Sequence, residues 1–188
     1  MRDDIIQIRW HGRGGQGAIT AAKIVANAAF ASGYTGVVMT PTFGTERRGA
    51  PVLTSLKIAR EKIYDLSPIS EPDMVMVFDP LLLTEVGVTN GLRADGLMML
   101  NSPRSPAEYA SEKLTVATAD VTSLSAGAGL PRGIINTGMI GLFAKAAGLL
   151  ELDHLLEAVG EEFAGRNPEK NIEAARAVYA NTMIGAFS

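Results

Sequence analysis

The stretch that most limits what this chain can fold into is His11-Gly12-Arg13-Gly14-Gly15-Gln16-Gly17, which holds the spacing G-x-G-x-x-G at Gly12, Gly14 and Gly17. Ahead of it, Ile5-Ile6-Gln7-Ile8-Arg9-Trp10 is a short β-rich run. Behind it, Ala18 to Ala31 carries helix formers, with Ile19, Ile24, Val25 and Phe30 recurring at helical turns. The order is strand, tight loop, helix. Glycines in such a loop let the backbone turn sharply and let a bound group come close, while the helix N-terminus offers free N–H groups and partial positive charge to a phosphate. Gly12, Arg13, Gly14, Gly15, Gln16 and Gly17 are therefore candidate nucleotide-binding residues. The competing explanation is a tight turn that only packs a helix onto a sheet.

Downstream, Gly33 stops the helix, and Val37-Val38-Met39 reads as a strand before Pro41, with a loop from Thr42 to Pro51. Val52 to Ala59 alternates apolar and polar residues, as a half-buried strand does; so little chain separates it from its predecessor that an antiparallel or edge position is expected. Met74-Val75-Met76-Val77-Phe78 is apolar throughout, which suits a central strand covered on both faces. Leu97 to Leu100 and Leu114 to Ala119 read as further strands, and no β signal is evident after residue 120. Helices are expected over Asn136 to Leu149, Leu152 to Phe163, and from Pro168 onward, the last keeping Ile172, Ala175, Val178 and Tyr179 on one face. Asn167-Pro168 supplies an N-cap and a proline at the first helical position. Strands alternating with helices and then helices alone predict a three-layer α/β/α domain with a mixed, mostly parallel sheet and a helical C-terminal third. With 188 residues and no linker or repeat, the whole chain (1–188) is expected to form one domain.

Composition narrows the chemistry. The formal charge of −3 gives no general attraction to nucleic acid or to an anionic membrane surface. There is no cysteine, so the chain can hold neither a disulfide nor thiolate ligands for zinc or an iron–sulfur cluster, and any redox centre must belong to something else. No metal site is expected. Met1-Arg2-Asp3-Asp4 and the short apolar segment after it lack the basic and long apolar regions of a secretory signal, and no stretch approaches the roughly 18 apolar residues of a membrane span. A cytoplasmic location is the expectation. The 47% apolar content suits either a buried partner surface or a large core with Ala-rich helices.

A nicotinamide dinucleotide also calls for an acidic residue about 20 positions on, at the end of the second strand. Thr40-Pro41-Thr42 stands there, and a little further on Gly44-Thr45-Glu46-Arg47-Arg48-Gly49 brings two guanidinium groups. Arginine pairs suit a phosphorylated ribose, because the planar fork donates two parallel hydrogen bonds to phosphate oxygens. NADP and coenzyme A both carry one. Arg47 and Arg48 could equally be a solvated loop or pair with acids of a neighbouring subunit.

The strings at 11–17, Gly-Thr-Glu-Arg-Arg-Gly-Ala-Pro-Val at 44–52, and Asn-Thr-Gly-Met-Ile-Gly with Lys145 at 136–145 together resemble the gamma subunits of pyruvate:ferredoxin oxidoreductase and related 2-oxoacid:acceptor oxidoreductases. Asn171-Ile172-Glu173-Ala174 is also similar, and the likeness runs in order from about residue 5 to about residue 180. The resemblance implies a subunit of a complex that oxidises a 2-oxoacid, releases CO2 and delivers the acyl group to coenzyme A. Thiamine diphosphate and the iron–sulfur clusters would sit on partner subunits of alpha, beta and delta type. Gly14 to Gly17 would face a coenzyme A phosphate, Arg47 or Arg48 would be a second contact, and Asn136 a third unless it serves as a helix N-cap. Lys145 is expected on a helix surface. The family pattern assigns this subunit no catalytic residue: His11 reads as packed or exposed, His154 as a solvent-facing helix residue, and Asp79 as a helix cap. A free-standing NADP-binding reductase and a pure assembly scaffold are the alternative readings.

Overall fold

In the computed structural model, which describes residues 5–42, 48–110 and 113–187, the apolar runs become strands of one seven-stranded sheet. β1 (Ile6–Arg13) leads through the glycine loop into α1 (Ala18–Ala31), followed by β2 (Gly36–Thr42) and β3 (Pro51–Ala59). β4 (Met74–Val77), the single turn α2 (Leu82–Glu85), β5 (Leu97–Asn101), a 3-10 turn at Pro106–Tyr109 and β6 (Leu114–Ala119) come next. The chain then runs through α3 (Val121–Gly127), α4 (Asn136–Ala147), α5 (Leu152–Glu162) and α6 (Pro168–Asn181) into β7 (Met183–Phe187).

The strand order is β2-β3-β1-β4-β5-β6-β7. β1, β4, β5 and β6 run parallel to one another, whereas β3 pairs antiparallel with both β1 and β2, and β7 antiparallel with β6. The sheet is mixed and mostly parallel in strand direction, as expected: β1, β2, β4, β5 and β6 point one way, and β3 and β7 oppose them. β3 is antiparallel and internal; the edge belongs to β2. Pro41 sits within β2 rather than after it, and an edge is where a strand tolerates a missing N–H. β7 corrects the expectation that β structure ends at residue 120. It pairs Leu114 with Phe187 and Thr118 with Met183, so its strand geometry comes from the neighbouring strand rather than from its own sequence pattern.

The two sides of the sheet are covered unequally. On one side Ile8, Trp10, Leu56, Ile58, Met76, Phe78 and Met99 pack against α1 and α4, with Trp10 between the rings of Phe78 and Phe143. On the other, Val75, Val77, Met98, Leu100 and Val116 pack with Leu82 of α2 and Val88. The three expected layers are present, but the second covering layer consists of short turns and coil. α6 buries Ala175 and Val178, and its half-buried Ile172 and Tyr179 pack on the same core. Its start differs from the expectation. Asn167 has φ 54° and ψ 58° and makes no side-chain cap, because capping needs an extended backbone that aims the side chain at the next amides. Its carbonyl instead accepts from Asn171 Nδ2 at 3.1 Å.

α4 crosses α6 at very short range. A Cβ added at Gly141 would lie 2.1 Å from the Ala175 carbonyl oxygen, and one at Gly138 would lie 2.5 Å from Ser125 Oγ. Gly160 on α5 has only Ile172 Cδ1 nearby, at 3.7 Å from such an atom. The same chemical change should therefore have opposite signs at the two sites. Gly141→Ala is expected to destabilise by about 1–3 kcal/mol through overpacking, and Gly160→Ala to stabilise by about 0.5–1 kcal/mol through helix propensity, both read as shifts in urea midpoint.

Candidate functional site

The glycine loop leaves β1 toward the α1 side of the sheet, while the chain leaving the adjacent strand β4 turns into α2 on the opposite side. Such a divergence at the carboxyl ends of neighbouring parallel strands opens a crevice, the usual place for a ligand in an α/β sheet. The loop is tied down on its outer flank. Gly14 N–H donates to the Ala50 carbonyl at 2.9 Å, Gly49 N–H to the Gly14 carbonyl at 3.1 Å, and Arg13 N–H to Gln16 Oε1 at 2.7 Å. Gly15 and Gly17 then take φ of 98° and 79°, values that side-chain-bearing residues rarely adopt.

Past these anchors the amides of Gly15, Gly17, Ala18, Ile19 and Thr20 find no acceptor among the described residues. All five of these residues, together with Arg13, Gly14, Arg48 and Val52, line a cleft of about 480 Å³. A second cleft of about 270 Å³ adjoins it around Gly14, Gly15, Gln16, Arg48, Gly49 and Arg132. The exposed Arg48 borders both, its Cγ 3.9 Å from where a Cβ on Gly15 would stand. Arg47 lies outside the described residues.

Other sequence candidates fall into distinct places. Gly12 is buried within β1, where an added Cβ would be 3.0 Å from Ala18 Cβ; its smallness seats α1 on the sheet, and it lines neither cleft. Asn136 is buried as the first residue of α4, behind Ile135 at the cap position, and its Oδ1 accepts from Thr137 N–H at 3.0 Å. It is therefore not the N-cap. A Cβ at Gly17 would lie 2.9 Å from Asn136 Cβ and 3.0 Å from Asn136 Nδ2, so the two helix starts touch at this pair. Lys145 is exposed, its Nζ 5.0 Å above the Tyr179 ring, and exposed His154 approaches Ser32 Oγ at 3.1 Å.

Arg13 is committed to partners within the chain. Its Nε donates to Asp79 Oδ2 at 2.5 Å, one terminal nitrogen to Glu85 Oε1 at 2.7 Å and the other to the Gly49 carbonyl at 3.3 Å. Hydrogen bonds to Glu85 and Asp79 push its pKa further above the ordinary arginine value. Asp79 also accepts from Leu81 N–H at 3.0 Å, which turns the chain just ahead of α2; the cap position of that helix is Leu81, so Asp79 is not the N-cap its sequence position suggests. The carboxylate partners, 66 and 72 residues from Arg13, carried no sequence signal.

Two further polar residues lie beneath the loop on β1. Arg9 is buried, donating to the carbonyls of Val88 at 2.9 Å and Asn90 at 2.5 Å, with no carboxylate partner among the described residues. His11 is buried with no partner for Nε2, and burial, then the charge of Arg9, pushes its pKa down to about 4. It is a packed residue, one of the two placements expected for it.

The family model for pyruvate ferredoxin/flavodoxin oxidoreductase matches residues 7–181. The chain is 44% identical over 186 residues to the pyruvate/ketoisovalerate oxidoreductases common subunit gamma of Pyrococcus furiosus, covering 96% of this chain and 98% of that protein. It is 43% identical over 175 residues to pyruvate synthase subunit PorC of Methanothermobacter marburgensis, covering 93% and 96%. Among solved structures, pyruvate oxidoreductase subunit PORC of Thermotoga maritima matches with a TM-score of 0.83 at 29% identity, over 97% of this chain and 99% of that one. The 2-oxoglutarate:ferredoxin oxidoreductase of Magnetococcus marinus, solved with 2-oxoglutarate, coenzyme A and succinyl-CoA bound, matches with a TM-score of 0.78 at 18% identity, over 95% of this chain and 32% of that one. At that identity the likeness concerns the fold alone.

The environment of His11 sets a pH dependence. With its pKa held near 4 in the fold against about 6.5 in an unfolded chain, the neutral ring favours folding above pH 6.5, and this advantage is lost as pH falls toward 4. Replacing the group with His11→Gln should remove roughly 3 kcal/mol of this acid sensitivity. Urea midpoints at pH 7 and pH 4.5 for both proteins measure it; equal acid losses would contradict the assignment.

Proposed function

Since this chain belongs to the pyruvate ferredoxin/flavodoxin oxidoreductase family and is the gamma subunit of a pyruvate/2-oxoacid oxidoreductase complex, we propose that its glycine loop binds the phosphates of coenzyme A. In this reading the complex oxidatively decarboxylates a 2-oxoacid to acyl-CoA and CO2, and this subunit supplies part of the acyl acceptor's site. The observation that carries the reading is the set of amides of Gly15, Gly17, Ala18, Ile19 and Thr20, without an acceptor among the described residues, in residues that line a cleft bordered by Arg48. Successive N–H groups at a helix start bind an anion without placing a mobile charge in the site. Arg48 adds a guanidinium whose two parallel donors suit phosphate oxygens. Arg47 precedes it in the same loop and is assigned the same role. Asn136, buried beside Gly17, lines neither cleft and supports the loop from behind, so any contact it makes with coenzyme A depends on the loop moving aside.

The contribution of the other loop residues is positional. Arg13 and Gln16 hold the backbone in shape, and Gly12 seats the helix behind it. Thiamine diphosphate, held by alpha- and beta-type partners, supplies the carbanion chemistry of decarboxylation, and clusters on a delta-type partner carry the electrons away. The exposed Tyr64 and Leu66 offer apolar area for docking against those subunits. No helix among the described residues is long and apolar enough to cross a membrane, and we place the complex in the cytoplasm.

The sheet order weighs against the NADP alternative. A dinucleotide fold pairs the strand after α1 directly with β1, whereas here β3 intervenes and β2 lies at the edge.

Arg48→Ala in the assembled complex should raise KM for coenzyme A about tenfold, the loss of a charge-assisted hydrogen-bonding group at an exposed site, with kcat unchanged. Arg47→Ala tests the neighbouring position in the same assay. Unaltered KM in both variants would contradict the assignment.

A further inference from the structure

Two adjoining clefts meet at the glycine loop, and they differ chemically. The larger is faced by backbone amides, with Arg48 at its border. The smaller lies between Arg48 and Arg132, with Gly14, Gly15, Gln16, Gly49 and Gly133 around them. Arg132 stands in a turn closed by the Ile134 N–H to Pro131 carbonyl bond at 3.0 Å, three residues before the α4 cap Ile135 and four before Asn136, which touches the loop at Gly17. Its side chain is exposed and has neither an ion pair nor a hydrogen bond among the described residues. Arg13, the other guanidinium here, is taken up by Asp79 and Glu85. Among the described residues, Arg48 and Arg132 are thus the cations lining the smaller cleft that have no partner.

The charges of a nucleotide's phosphates sort between such clefts. Each phosphate of a diphosphate bridge is esterified on one side, joined to its neighbour on the other, and carries a single negative charge, which peptide amides at a helix start can match. A phosphomonoester carries close to two negative charges at neutral pH and three exposed oxygens, and calls for side-chain cations with forked donors. We propose that Arg132, acting with Arg48, binds the ribose phosphomonoester of the ligand and makes this subunit selective for 3′-phosphorylated coenzyme A over dephospho-coenzyme A. The proposal rests on the coenzyme A reading above and adds to it a residue and a basis for discrimination. Arg48 borders both clefts and serves both phosphate groups; Arg132 serves the phosphomonoester alone.

The test uses the assembled complex with its 2-oxoacid saturating, varying coenzyme A or dephospho-coenzyme A as acceptor. Arg132→Ala should raise KM for coenzyme A about tenfold while leaving KM for dephospho-coenzyme A and both kcat values unchanged, so that the preference between the two acceptors collapses. Arg132→Lys, which keeps the charge without the fork, should recover part of the preference. Arg48→Ala should raise KM for both acceptors. If Arg132→Ala raises both KM values in equal proportion, or neither while Arg48→Ala still acts, the role of Arg132 is overturned and the coenzyme A reading survives. If neither variant changes either KM, both fall together.

Discussion

Arg13 bonds at once to Asp79, to Glu85 and to the Gly49 carbonyl, and its own peptide N–H is taken by Gln16. One residue thereby joins the glycine loop, the turn at 48–50 and the carboxyl end of β4. The charges decide what the side chain can do. Two carboxylates facing one guanidinium hold it in place, and without it they would stand uncompensated beside the proposed anion site. The charge balance of this node is local: Arg13 screens the acids, and in the proposed reading the attraction for an anion falls to peptide dipoles and to arginines outside this node, Arg48 and Arg132 among them. A loop fixed in this way before ligand arrives loses little conformational freedom on binding.

The sheet explains why the loop lies where it does. β1 sends its chain to one side and β4 to the other, so the ends of these parallel neighbours diverge. Behind the loop, Gly12 admits α1 close to the sheet, and Gly17 admits Asn136 at the start of α4. Farther along α4, Gly141 brings α6 to its surface. The absence of side chains at these three positions sets the spacing of the helical layer, and through it the placement of the amide cluster.

Much of this was legible in the sequence, for identifiable reasons. The strand, loop and helix around residues 12–17 combine a local period with glycine spacing, and both signals are short-range. The central strand β4 was readable because it is apolar on both faces. β7 was not, since Met183-Ile184-Gly185-Ala186-Phe187 becomes a strand only by pairing with β6, far back in the chain. Arg13 stood in a phosphate-binding motif, yet its partners belong to the end of β4 and to α2, and no local pattern pointed to them. Asn167 carried a sound capping signal and took a left-handed backbone instead, a conformation that asparagine tolerates better than most residues. Arg132 went unnoticed because a lone exposed arginine between proline and glycine looks like any turn; only the fold brings it beside Arg48.

The two outer strands of the sheet are not alike. β2 carries Pro41, whose ring interrupts the row of donors that a foreign strand would need, whereas β7 has no proline and leaves Met183 and Ile184 uncovered. Unsatisfied strand borders with apolar side chains are the usual starting points of unwanted self-association. Free copies of this subunit would accordingly associate first along β7 rather than along β2.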